Sequence, residues 1–197
     1  MKNKDDYSKE NDNSKEDEGK FNLVKEVLEM LVYFVAIIII FLLLPHFVGQ
    51  HIEVKGSSME NTLSNKDHLI LEKITYRFKE PKRFEIVVFR PYDKEEETYY
   101  IKRVIGLPGE KIQIKDGEVY INDEAIEDIY GSDIIANPGI ASSEIQLDED
   151  EYFLIGDNRN NSTDSRSAKI GPVKRKAIVG RAWARIWPVK EIEILAH

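Results

Sequence analysis

The chain has 197 residues, a formal net charge of -8 at pH 7 and an isoelectric point of about 5.2. Such an acidic balance argues against a nucleic-acid partner. The absence of cysteine excludes disulfides, a thiolate nucleophile and any Cys/His zinc pattern. The length supports one domain with a real core and room for a small subdomain.

Met1 to Lys20 is built from Lys, Asp, Glu, Asn and Ser with a single aromatic residue. It has too little apolar area to offset its ordering entropy, which predicts a disordered tail over 1–20. The next segment, 21–49, holds an apolar run from Val27 to Val48 that is unbroken between Met30 and Leu44. About 22 residues suffice to cross a hydrocarbon core of roughly 30 Å, with Glu29 and His46 placed near the interfaces. The run is too long for a secretory signal, and Pro45 to Gly49 offers no small-residue cleavage site. The expectation is one uncleaved N-terminal transmembrane helix. Lys15, Lys20 and Lys25 precede it closely and only Lys55 follows at a similar distance. That bias predicts a cytoplasmic tail, a lipid bilayer around the anchor, and an extracytoplasmic domain over 50–197.

Beyond the anchor the patterns are short and strand-like: His68 to Leu71, Glu85 to Phe89, Thr98 to Ile105, Lys111 to Ile114, Glu118 to Ile121, Tyr152 to Ile155 and Ala177 to Ile186. With their turn signals they predict a mainly β, antiparallel domain. Asp116-Gly117 between two apolar-alternating runs is a two-residue hairpin signal. Leu107-Pro108-Gly109-Glu110 has Pro and Gly where a type II turn wants them. The stretch 116–150 is acidic and weakly periodic past its first strand, and it is expected as a less regular insert. Of Trp183, Trp187 and Pro188, at least one is expected in the core, with an interfacial aromatic patch as the other reading.

The chemistry starts from Lys102, which stands in Tyr99-Tyr100-Ile101-Lys102-Arg103-Val104-Ile105-Gly106. On a strand it shares a face with Tyr100 and Val104, while Arg103 points the other way. An ammonium there either reaches water or loses its proton, and a neutral lysine is a general base. Half neutrality near pH 8 needs a fall of about 2 to 3 units, on the order of 3 to 4 kcal/mol, which burial alone can supply. Serine needs a base to become a nucleophile. His46 and His51 flank the apolar run, His197 is terminal, and His68 lies in a strand-like segment. A Ser-His-Asp triad using Asp67 or His68 is therefore the weaker reading beside a Ser-Lys dyad.

Three motifs together resemble bacterial type I signal peptidase, the leader peptidase family of membrane-bound Ser-Lys endopeptidases, and its Gram-positive type in particular. Gly56-Ser57-Ser58-Met59-Glu60-Asn61-Thr62-Leu63 resembles the nucleophile box, in which the serine before methionine, here Ser58, attacks. Lys102 to Glu110 resembles the box whose first lysine is the base. Gly156-Asp157-Asn158-Arg159-Asn160-Asn161-Ser162-Thr163-Asp164-Ser165-Arg166 is similar to the third box. The resemblance implies that Ser162 hydrogen-bonds and orients Lys102, and that Asp164 and Arg166 form a supporting ion pair. It implies no cofactor or metal. Its substrates are signal peptides of exported preproteins, bound as a strand beside the Tyr99 to Val104 edge, with small residues at the first and third positions before the cut. Shallow pockets lined by Met59, Leu63 and Ile101 would exclude larger side chains.

The chain departs from the family pattern at three places. Asn61 stands where a proline is usual, Arg83-Phe84-Glu85 replaces Arg-Gly-Asp, and Glu110 replaces an aspartate. Some members carry an oxyanion-binding hydroxyl two residues before the nucleophile. That position is Gly56 here, so the backbone N–H of Ser58 is expected to act with another backbone group or water. Two rival functions share parts of the pattern: a non-cleaving assembly factor of the pilus type, which Asn61 alone favours, and a self-cleaving Ser-Lys regulator, which would carry a DNA-binding domain and no anchor.

Overall fold

The computed structural model describes residues 25–42, 49–91, 98–131 and 133–195. The expected tail, 1–20, lies outside them. The chain divides into two compact units, Met1–His46 and Phe47–His197. In the first, residues 25–42 form a helix whose side chains are exposed throughout. Lys25, Glu26 and Glu29 occupy its first turns, and among the described residues no helix is long and apolar enough to cross a membrane. The rest of the apolar run, 43–48, lies outside the described residues.

The second unit is built of antiparallel strands: β1 (Gly49–Glu53), β2 (His68–Glu72), β3 (Ile86–Phe89), β4 (Tyr100–Gly106), β5 (Lys111–Lys115), β6 (Glu118–Ile121), β7 (Glu124–Ala125), β8 (Ile145–Gln146), β9 (Glu151–Ile155), β10 (Val173–Lys174), β11 (Ile178–Trp187) and β12 (Glu193–Ile194). The larger sheet runs β1-β2-β11-β3-β4-β9-β10, with β12 paired to β11, and the smaller runs β7-β6-β5-β8. The residue patterns explain the layering. β2 and β5 alternate, turning Leu69 and Leu71, and Ile112 and Ile114, inward. β3, between β11 and β4, is buried along its whole length. Asp116 and Gly117 both take the positive φ (51° and 84°) that a two-residue hairpin turn requires.

Three features differ from expectation. β1 lies where the sequence showed only the end of the anchor, because its single inward position, Ile52, gives too weak an alternation to read. Within 116–150 the two-residue strands β7 and β8 were not expected, and they join β5 and the expected β6 in the smaller sheet. Neither tryptophan is in the core: Trp183 and Trp187 are 42% and 52% exposed, since bulges in β11 shift its pairing with β2 at Ala182/Ala184 and Arg185/Trp187.

Candidate active site

Ser58 follows a turn made possible by Gly56, whose φ of 95° suits glycine, while Val54 N–H to Asp67 O (2.8 Å) and Lys66 N–H to Val54 O (2.9 Å) hold the start of this loop. Lys102 comes from the middle of β4 and is 3% exposed. Its Nζ stands 2.7 Å from Ser58 Oγ and 2.8 Å from the Ile101 carbonyl oxygen. Burial lowers its pKa to about 8, against the charges of Asp164 and Asp157, which work to raise it; Arg166 adds to the lowering. An amine so placed is a base near neutral pH in contact with a hydroxyl.

The third box surrounds this pair. Asp164 accepts from Arg166 Nε (2.9 Å) and Nη2 (2.8 Å) and from the Gly156 N–H (3.0 Å). Burial works to raise the Asp164 pKa, and the Arg166 hydrogen bonds and charge, with the Gly156 N–H, outweigh it and leave it lowered. Ser162 does not make the expected bond to Lys102. Its Oγ is buried without a hydrogen-bond partner, while Nζ contacts Ser58 Oγ and the Ile101 carbonyl. It stands close enough to Asp164 to favour the ionised carboxylate, but not in hydrogen-bond geometry. Gly156 lies so tightly behind the site that a Cβ there would fall 2.2 Å from Ser162 Oγ and 2.3 Å from the Ser58 carbonyl oxygen.

The same loop clasps Ser57 and Ser58. Asn158 N–H donates to Ser58 O (3.2 Å), Asn158 Nδ2 to Ser57 O (3.0 Å), and Asn161 Nδ2 to Ser57 Oγ (2.9 Å). A buried pair invisible to sequence reasoning braces it from below. Arg103, fully buried on the face away from Lys102, grips Asp157 through Nε (2.8 Å) and Nη2 (2.6 Å), and Thr62 Oγ1 donates to the same carboxylate (2.6 Å).

Ser58 and Lys102 open on a groove of about 690 Å³. Residues 52–59 form one wall, 98–102 the other, and Asn161 and Thr163 the end. Met59 and Ile101 line it. Leu63 does not: it is 1% exposed and packs in the core with Met59. β9 pairs with β4 only from Arg103 onward, so 98–102 keep an open edge on that side, whereas Val104 is already paired to Leu154. The triad reading has no geometry behind it. His68 Nδ1 is 2.6 Å from His51 Nε2, and Asp67 pairs with Arg185 (3.0 Å). Among the described residues no group of His, Asp or Glu is placed to hold a metal ion.

The family model described as signal peptidase, peptidase S26, matches residues 27–187. The chain belongs to the signal peptidase family. It is 42% identical over 153 residues to a probable signal peptidase I-2 of a Synechocystis strain, covering 76% of this chain and 68% of that protein. It is 32% identical to signal peptidase I P of Bacillus subtilis subsp. natto over 187 residues, 90% and 96% of the two chains. The crystal structure of a signal peptidase I from Enterococcus faecalis V583 aligns at 30% identity with a TM-score of 0.44, over 52% of this chain and 97% of the other. Membership of the signal peptidase family makes the protein a serine hydrolase.

The departures from the family pattern have local structural correlates. Asn61 has a φ of 90°, which a proline ring fixed near -65° cannot adopt, so this turn differs from one built on proline. Phe84 sits at a φ of 69° where the signal peptidase pattern has glycine, and its ring packs on the smaller sheet's core and against Tyr130 (5.4 Å between centroids). Glu110, one of the altered positions, accepts from both Arg83 Nη1 (3.0 Å) and Nη2 (2.5 Å).

Proposed function

We propose that this chain is a membrane-anchored endopeptidase that removes N-terminal signal peptides from exported preproteins, with Ser58 as nucleophile and Lys102 as general base. The observation that carries the reading is the 2.7 Å contact between Ser58 Oγ and a buried amine whose pKa lies at about 8. Neutral Nζ takes the Ser58 proton as Oγ bonds the scissile carbonyl carbon, whose π pair moves to oxygen. Collapse restores the carbonyl and breaks the C–N bond, and the leaving amine takes the proton from Nζ. Water then attacks the ester, giving one proton to Nζ, which returns it to Ser58 Oγ as the acid leaves. Asp164 with Arg166, and Gly156 behind them, hold the third box against the dyad.

The open 98–102 edge suits an extended peptide added as a strand, with Ile101 and Met59 facing its side chains. By resemblance the residues accepted at the first and third positions before the cut are small. An anchor over 21–49 would keep Ser58 near the bilayer surface, since about ten residues of linker reach at most roughly 35 Å. A signal peptide's own cut site emerges at that surface, and tethering both raises their effective concentration.

The test is cleavage of a fluorogenic signal-peptide substrate by the purified full chain in detergent. Cleavage after the small residue, lost in both Ser58→Ala and Lys102→Ala, is the expected result. Tight binding of the peptide without cleavage would replace this reading with the non-cleaving assembly factor.

A further inference from the structure

We propose that the Ser57 hydroxyl is the second oxyanion-hole donor, acting beside the backbone N–H of Ser58 and aimed by Asn161. The inference rests on the peptidase reading above and adds a catalytic residue to it. Gly56, the position where some relatives carry a hydroxyl, has no side chain, and its φ of 95° disfavours one although the space beside it is open. One residue closer to the nucleophile, Ser57 is half-exposed and lines the groove with Ser58, Lys102 and Asn161. Its Oγ is four covalent bonds from the Ser58 nitrogen, so the two lie within about 5 Å of each other.

The hydroxyl is also held. Ser57 Oγ accepts from Asn161 Nδ2 at 2.9 Å, and its own proton meets no acceptor among the described residues. The Ser57 carbonyl accepts from Asn158 Nδ2 at 3.0 Å and from Glu60 N–H at 3.1 Å, which fixes the peptide plane between Ser57 and Ser58. A donor with a fixed oxygen, a free proton and a place beside the nucleophile's N–H costs no reorganisation when negative charge develops on the carbonyl oxygen. When Ser58 Oγ bonds the carbonyl carbon, the displaced electron pair on oxygen receives two hydrogen bonds, from Ser58 N–H and Ser57 Oγ–H. Both are released when the C–N bond breaks and the carbonyl reforms. Asn161 touches no reacting atom and is a positioning residue.

The experiment measures kcat and KM for the fluorogenic signal peptide, and the inhibition constant of a peptide aldehyde ending in alanine, whose adduct with Ser58 carries the same oxyanion. Ser57→Ala is expected to lower kcat about 10- to 100-fold with KM unchanged, to weaken the aldehyde by a similar factor, and to leave the rise of kcat with pH where Lys102 puts it. Ser57→Thr keeps the hydroxyl and should stay within about threefold of wild type, and Asn161→Ala should show a smaller loss of the same kind. Thermal melts exclude a folding defect, and Asn161→Ala, altered at an exposed side chain, carries the test if Ser57→Ala does not fold. A Ser57→Ala enzyme within threefold of wild type in kcat and aldehyde affinity overturns the inference and leaves the peptidase reading standing. A wild-type protein that binds but never cuts sinks the peptidase reading itself.

Discussion

Lys102 couples activity and stability through one proton. With the neutral amine as the base, as we propose, kcat should rise with pH and level off above about 8, the value to which burial brings this group. Lys102→Arg should be as inactive as Lys102→Ala, because a guanidinium keeps its proton at any working pH. The stability consequence has a definite sign. In the unfolded chain the amine holds its proton up to its ordinary 10.5, whereas in the folded protein it releases it near 8. Between those values the unfolded state binds more protons, so stability rises with pH across that window. Below about pH 8 the protein carries the whole cost, on the order of 3 kcal/mol. Lys102→Met, which removes the charge and keeps the bulk, should therefore melt higher than wild type at pH 7, less the loss of the contacts to Ser58 and the Ile101 carbonyl. The gap should close towards pH 10. Melting curves of the two proteins at both pH values check this, and a gap that widened with pH would mean that Nζ is not the strained group.

The loop after β9 acts on the dyad by close approach, and Gly156 is where that is testable. An added methyl would meet Ser58 O and Ser162 Oγ at 2.3 Å and 2.2 Å, and the carbonyl belongs to backbone that cannot rotate aside. Gly156→Ala should push the nucleophile away from Nζ and cut kcat by about 100-fold or more, the scale of loss for an ångström of misplacement. A folded Gly156→Ala protein that keeps a third of wild-type rate would show that the loop merely rests against Ser58. Elements of this kind were only partly legible in the sequence. Alternation announced β2, β5 and β6, and a continuous apolar run announced β3, because local burial writes itself into local pattern. The Asp116-Gly117 turn was legible for the same reason. β1 and the two-residue strands β7, β8, β10 and β12 were not, since they exist by pairing with distant partners. Likewise the Arg103–Asp157 pair spans 54 residues, and nothing near either residue marks the other as its partner. Ser58 and Lys102, 44 apart, were readable only because each sits in a recognisable box and the lysine lies among apolar neighbours. Ser162 was expected to bond Lys102 but stands against Gly156 and Asp164, because its surroundings depend on geometry that spacing does not encode.

At the scale of the molecule, the proposed function requires that the β unit be held at a membrane, and the helix over 25–42 bears on that. Helix 25–42 is about 27 Å long at 1.5 Å per residue, slightly short of a hydrocarbon core of roughly 30 Å, and its first turns carry Lys25, Glu26 and Glu29. Its remaining surface is apolar on every side: Met30, Leu31, Val32, Phe34, Ile37 and Phe41 are all exposed. A helix apolar all round is stable only where something takes up that surface, and we propose that lipid does. In sequence the apolar run continues to Val48, with Pro45 and His46 inside it, which gives it the length that a span requires. From the lysines before it we propose the direction, with Met1 to Lys20 inside and the β unit outside. Protease added to intact protoplasts should remove the β unit and spare an epitope tag at Met1, and detergent should expose both to digestion. Protection of a tag at His197 in unlysed protoplasts would reverse the orientation. Release of the intact chain by carbonate at high pH would show that the apolar run lies on the membrane and does not span it.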